Sequence, residues 1–455
     1  MLWDPWLLGL FLVTGIYFSI RTGFFQIFGC LTWLRVTTGS LFRGKKGGGQ
    51  GGLTQLQTMA TALASTIGTG SVAGVATAIA WGGPGAVFWM WVSALLGMMT
   101  GCMEKLLSVR YRRRQGEEWQ GGPMEYMERG LRLPRLAAWF ALCLALAALS
   151  GGAMVQSNSI AAGLETAFGF EKWKVGLLTA LLTGLVIWGG VGRIGRVCER
   201  LVPVMALLFL GCGVVVLIYH ASAVPAALGE ILSEAFAPRS VAGGGLGYGM
   251  MTAMRYGIAR GVFTNEAGLG SSALAHAQTP QEEPAVQGMW GIFEVFVSTM
   301  VVSTVTALVV LTTGVYDKAA VLTGIRVGKS PGEESGVPMV AAAFSTVFGD
   351  WGGIIVAVCL FLFAFSSLLG WSYYGERGFS YLLRGGRGKG GFRLLFLAAV
   401  CVGSVWELGA VWQAADLFNG LMALPNLIAL LLLSPEAMRQ WRWWIKKRAY
   451  DRTSN

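Results

Sequence analysis

Charged residues are few: 13% of the chain is Asp, Glu, Lys or Arg, about half the share usual in soluble domains. Histidine is rarer still, with only His220 and His276, too few for a His-rich metal centre. The seven cysteines lie mostly in apolar runs without C-x-x-C spacing. They read as small buried hydrophobes and not as a disulfide or thiolate-metal framework. No Walker loop and no G-x-S-x-G elbow occurs, so ATP-driven pumping and serine hydrolysis lack their parts. A membrane-embedded enzyme using Glu266, Asn265 and Arg260 would have no evident nucleophile or metal, so no enzymatic activity is expected.

What fills the chain instead is apolar. Hydrophobic residues make up 54% of its 455 positions, with 18 Trp and a mean hydropathy of +0.58. Runs long enough to cross the roughly 30 Å hydrocarbon core recur from end to end. They predict an all-α integral membrane protein with eleven spans, near 3–21, 56–81, 84–108, 136–164, 174–191, 199–219, 246–277, 286–312, 351–380, 392–411 and 415–434. The first has no positive n-region, carries Asp4 and lacks a small-residue cleavage site, so it reads as a retained helix.

Basic residues cluster in the 21–55 loop, between Lys105 and Arg135, between Arg193 and Arg200, between Arg377 and Arg393, and from Arg439 to Arg452. Together these hold 27 of the 35 Lys and Arg. They are alternate connections plus the C-terminus, which puts them in the cytoplasm and the N-terminus outside, in a multi-pass cell-membrane protein. The acidic Gln278–Pro284 connection is the one exception. The net charge of +11 is then topological and gives no reason to expect nucleic-acid binding. The Trp441–Arg448 stretch is expected to rest on anionic headgroups. The 23–37 and 122–131 segments look amphipathic and are expected to lie along the inner surface. The 44–52 segment reads as a flexible linker.

Two segments interrupt the apolar background. Gly68–Ala73 and Gly268–Ala273 both read G-x-G-S-x-A, and they begin two sets of five spans once the first span is set aside. Five is odd, so the second set enters from the opposite side. That predicts inverted repeats over 56–219 and 244–434, flanked by 1–55 and a basic tail at 435–455, with a transport site at the midplane. A helix broken in hydrocarbon leaves N–H and C=O groups for a ligand to satisfy. Ile67, Gly68, Thr69, Gly70 and Ser71 would offer donors to a carboxylate and carbonyls to a cation. An isolated glycine pair more commonly marks close helix packing; the matched pair, in polar surroundings, favours function.

Other polar residues sit where lipid contact would be costly. Gln156 and Asn158 are two amides on one span; Gln156 is read as a substrate or broken-helix contact, an interhelical hydrogen bond being the alternative. Arg255, Arg260, Thr264, Asn265 and Glu266 crowd the seventh span. The charged members are expected to pair with one another or with Glu104 and Glu294, as a gate latch or as static buried pairs. Phe263 and Thr264 are placed at the pocket wall beside the second break.

Gly68–Leu95, Gly121–Leu131, Met154–Ala161, Arg193–Pro203, Arg255–Ala277 and Leu362–Arg377 together resemble the alanine or glycine:cation symporter family, in order and over nearly the whole chain. The resemblance implies a leucine-transporter-type fold with two broken helices and one extra N-terminal helix. It implies import of small neutral amino acids such as alanine and glycine, coupled to Na⁺ by alternating access, with no cofactor and no obligatory protein partner. Proton coupling is the alternative, and an ion channel is a more distant one. Thr69, Gly70 and Ser71 then look like the carboxylate-binding element. Ser366 and Ser367 fit a hydroxyl pair for the cation, completed by carbonyls of the first broken helix around Ile67. Trp371, four residues on, is expected to cap the substrate side chain. The chain departs from the family pattern at Ser71, where Asn is usual. It departs again at Ala153, often Asn, and at Ser298, where Asp tends to stand. With about 2.3 kcal/mol per charge per 100 mV, one Na⁺ suffices to drive uptake.

Overall fold

The computed structural model describes residues 5–42, 52–116, 118–236, 248–316, 336–383 and 388–453. Most of the predicted linker at 44–52 and the start of the predicted second repeat lie outside them. Helix α1 spans Pro5–Arg21. Helix α2, Gln55–Thr66, is started by a capping box: Thr54 Oγ1 accepts from the Gln57 N–H, and the Gln57 side chain accepts from the Thr54 N–H, satisfying two otherwise orphaned donors. After a break the chain resumes as α3, Ala73–Gly82. Gly83, at φ 74°, then makes the turn into α4, Gly85–Tyr111.

Helix α5 runs Pro134–Phe168 with a π-helical stretch at Ala148–Met154. It is followed by α6, Lys172–Ile187, and α7, Gly190–Tyr219. Helix α7 begins well before the predicted 199, so Arg193, Arg196 and Arg200 ride on its first turns and not in a loop. The second interrupted helix is α8, Tyr248–Asn265, plus the single turn α9, Ala273–His276. Then come α10, Pro284–Thr312, α11, Trp351–Leu382, α12, Lys389–Val405, α13, Leu408–Leu432, and α14, Ser434–Thr453. Six helices among the described residues are long and apolar enough to cross a membrane on that basis alone. The α12–α13 corner falls at 406–407, earlier than the hydropathy pattern suggests, because a short polar turn between two apolar helices barely registers in a hydropathy window.

Among the described residues one short hairpin, β1 (Arg113–Gln115) paired with β2 (Glu118–Gln120), departs from an all-helical fold. The segment after it is not a surface helix: Met124, Tyr126 and Met127 are buried. In the 23–37 stretch Trp33 is likewise buried. The basic tail is a helix that docks on the protein through Trp441 and Trp444, edge-on to Phe25 at 4.8 and 6.5 Å, while Trp443 faces outward.

Glycines let the central helices touch backbone to backbone, as membrane helices without a hydrophobic drive between them require. A Cβ on Gly291 of α10 would come within 2.5 Å of the Gly101 carbonyl of α4, and one on Gly288 within 2.8 Å of the Cys102 carbonyl. This tight α4–α10 seam holds the second break in place.

Candidate functional site between the two helix breaks

At the first break, Ile67 caps α2 at φ −86°, ψ 73°, and Gly68 takes an extended conformation before a single 3₁₀ turn, Thr69–Ser71. Isoleucine at the end of a helix cannot take the left-handed cap that glycine allows, so the chain leaves α2 extended. The Gly68 and Gly70 backbones press against neighbouring side chains. A Cβ on Gly68 would lie 2.5 Å from Ser367 Oγ and 3.3 Å from Gln156 Oε1. One on Gly70 would lie 2.9 Å from Phe263 Cδ1 and 3.1 Å from Thr264 Oγ1. Residues from three helices thus converge on one turn.

Gln156 does touch the broken helix. Its Oε1 accepts from the Thr69 N–H at 3.3 Å, and its Nε2 donates to the Gly151 carbonyl at 3.2 Å. That carbonyl lies five residues back in the π-helical stretch, the kind of local widening that recurs at functional positions. Asn158, by contrast, ties α5 to the carbonyls of Gly403 and Trp406, both at 2.9 Å, and belongs to packing. Thr306 of α10 donates to the Ser71 carbonyl at 2.8 Å. The hydroxyls of Thr69 and Ser71 are buried and have no hydrogen-bond partner among the described residues, so both remain open to a ligand.

Ser366 and Ser367 of α11 both reach α2. Ser366 Oγ donates to the Ala64 carbonyl at 3.2 Å and Ser367 Oγ to the Ser65 carbonyl at 2.7 Å. The carbonyls facing them therefore come from Ala64 and Ser65, three and two residues before Ile67. Ser366 also back-bonds to Phe363 at 2.9 Å. Two hydroxyls and two carbonyls, without a carboxylate, are hard oxygen donors suited to a weakly held monovalent cation. Trp371 packs flat against Gly152, where a Cβ would come within 2.5 Å of its own, and its indole is turned toward Glu266.

Phe263 forms a wall of the same space, its ring 4.8 Å from Trp412, and Gly151 faces it across the gap. Asn419 of α13 lines this space with a buried, unpartnered Oδ1.

The expected pairing of charges is corrected by the structure. Arg260 pairs with Asp416 of α13 through two nitrogens, at 3.0 and 3.3 Å, and its guanidinium lies 4.3 Å from the Trp412 ring. Arg255 lies over Tyr256 at 6.0 Å. Glu104 and Glu294 close instead on Lys105, at 3.7 and 3.2 Å, with all three side chains fully buried. Glu104 Oε1 also accepts from the Gly268 N–H and from Asn426 Nδ2, at 3.0 and 2.7 Å, and so holds the second break directly. Glu266, at φ 55°, accepts from Ser271 across that break. His276 contacts Glu294 by one ring nitrogen and Gln287 by the other.

Sequence reasoning missed Lys105, Asp416, His276 and Asn419. Lys105 was counted with a basic loop, and only the pairing of helices distant in sequence reveals the rest. The Arg260–Asp416 pair, stacked on Trp412, closes over Phe263. Arg260→Lys keeps the charge but loses the planar fork and the stacking. It is expected to lower substrate uptake about tenfold, the equivalent of roughly 1.4 kcal/mol. Uptake by this variant equal to the parent would exclude a gating role for the pair.

The chain matches the sodium:alanine symporter family over residues 1–455. It is 39% identical to the sodium/alanine symporter AgcS of Methanococcus maripaludis, over 95% of this chain and 92% of that one. An uncharacterized transporter of Haemophilus influenzae is 41% identical over 94% and 91%. The crystal structure of MhsT in complex with L-phenylalanine superposes with a TM-score of 0.60, covering 85% of this chain and 90% of that one at 14% identity, which shows a shared fold.

Proposed function

The chain belongs to the sodium:alanine symporter family, and from that premise we propose that it imports small neutral amino acids, alanine and glycine, together with Na⁺. The observation that carries this reading is the Gly68–Ser71 turn. Its backbone and two unpartnered hydroxyls face a space walled by Gln156, Phe263 and Thr264, and the serine–carbonyl set of Ser366, Ser367, Ala64 and Ser65 lies at its other side. The amino-acid carboxylate lies on the unpartnered hydroxyls of Thr69 and Ser71, at the N-terminal end of α3. Gly70, Gly151 and Phe263 face the substrate side chain, with Trp371 as its cap. Na⁺ takes the four oxygens at the end of α2. Its charge offsets the carboxylate and orders the unwound segment, which links the two cargoes.

In this reading two inverted five-helix repeats, 56–219 and 244–434, rock against each other. Arg260 and Asp416 latch the outer side, and the basic connections and C-terminus stay in the cytoplasm at the cell membrane. No residue is assigned a catalytic role. Proton coupling keeps one observation in its favour, the buried Glu104–Lys105–Glu294–His276 cluster.

Uptake of radiolabelled alanine and glycine into proteoliposomes tests the proposal. It is expected to accumulate label only under an inward Na⁺ gradient. Ser367→Ala is expected to raise the Na⁺ concentration needed for half-maximal uptake roughly five- to thirtyfold, one lost oxygen ligand being worth about 1–2 kcal/mol. Uptake that follows a pH gradient and ignores Na⁺ would replace the coupling ion.

A further inference from the structure

A cavity of about 610 Å³ lies at the opposite end of the bundle from Arg260, under the β1–β2 hairpin. Its wall carries three cations, Arg113, Arg377 and Lys389, and three carboxylates, Glu118, Glu125 and Glu128. Part of this set is already paired. Arg377 donates to Glu118 at 2.5 Å, and Lys389 lies 3.6 Å from the same carboxylate. Burial pushes the Glu118 carboxyl up, but Arg377 and Lys389 outweigh it and hold it below the usual range, so the pair stays charged at neutral pH. Arg113 takes one oxygen of Glu125 at 3.1 Å.

The remaining polar atoms are not satisfied. The second oxygen of Glu125, Oε2, is buried without a hydrogen-bond partner among the described residues, and so are Arg377 Nε and Ser380 Oγ. Each such atom is a hydrogen bond left unmade in a buried place, and a ligand in the cavity would supply it. A simple anion would suit Arg377 and be repelled by the carboxylates; a simple cation would meet the reverse. Only a molecule with both charges answers an unpartnered acceptor and an unpartnered donor at once.

The cavity shares two elements with the central region. Its lining includes Tyr373, two residues past Trp371 on α11, and Leu274, on the turn that ends the second break. By the distribution of basic residues this is the cytoplasmic end.

We propose that this cavity is a second, product-side binding site for a zwitterionic amino acid, Glu125 receiving the ammonium group and Arg377 the carboxylate as the solute leaves. The inference rests on the transport reading above. The Glu118–Arg377 pair bridges the hairpin to α11 at the cavity wall.

Equilibrium binding of radiolabelled L-alanine to the purified full-length chain in lipid nanodiscs, from micromolar to millimolar, tests it. The parent is expected to bind two alanines per chain in a tighter and a weaker class. Glu125→Gln is expected to lose the weaker class and keep the tighter, which also reports that the variant is folded. Ser380→Val, which replaces the unpartnered hydroxyl with methyl groups without touching an ion pair, should do the same. Gln156→Ala should lose the tighter class alone. Ethylamine and propionate, each carrying one charged end, should not displace the weaker alanine. One alanine per chain in the parent, or two retained in both cavity variants, overturns this site and leaves the transport reading intact. No alanine bound by the parent overturns the transport reading itself.

Discussion

Gly68→Ala is expected to abolish alanine uptake while leaving the protein folded. The added methyl would stand 2.5 Å from Ser367 Oγ and 3.3 Å from Gln156 Oε1. Neither neighbour can give way without loss. Ser367 is held to the Ser65 carbonyl at 2.7 Å, and Gln156 holds the Thr69 N–H at 3.3 Å. Overpacking of this kind costs about 1–3 kcal/mol, and here the cost falls on the carboxylate cradle and the cation oxygens together. A loss of at least about a hundredfold follows if both cargoes are destabilised by some 1.4 kcal/mol each. Gly9→Ala in α1, where a Cβ meets nothing within 4 Å, is the matched control. Proteoliposome uptake checks both variants, and Gly68→Ala transporting at half the parent rate would move the substrate site away from the first break.

Lys105→Met is expected to have the largest effect on stability of any single substitution. Lys105 is the cation between Glu104 and Glu294, with no solvent contact on any of the three side chains. Removing one partner from a buried charge set costs about 3–5 kcal/mol, because the partners left behind are neither solvated nor neutralised. Glu104 also carries the Gly268 N–H and the Asn426 amide, so the damage reaches the second break. Thermal unfolding of the detergent-purified protein should show a marked drop in melting temperature. The double variant Lys105→Met, Glu294→Gln should recover part of it, since one stranded charge is removed. An unchanged melting curve for Lys105→Met would mean that the cluster is not held by charge.

The two breaks were legible because each is written in residues that a continuous apolar helix has no use for. Gly68, Gly70, Gly268 and Gly270 interrupt stretches of small and branched residues, and a polar neighbour in a membrane span needs a reason to be there. Gln156, Ser366 and Ser367 stood out by the same logic, and the structure brings all three to the first break. The charges were harder to read. Arg260 and Asp416 are 156 residues apart and Lys105 and Glu294 are 189 apart, and a lysine near the end of an apolar run looks like an interfacial anchor. Its burial depends on α10 and α4 meeting glycine to glycine, which no local pattern records.

The sequence by itself determined that the chain is a bundle of apolar helices and where two of them break, because the cost of placing unpaired backbone in hydrocarbon acts residue by residue. Only the tertiary structure decided which helix supplies each partner. Gln156 meets Thr69, the serines meet Ala64 and Ser65, Arg260 meets Asp416, and Lys105 joins Glu104 to Glu294. Pairing energies at 3 Å depend on geometry between segments far apart in the chain, and hydropathy says nothing about that geometry.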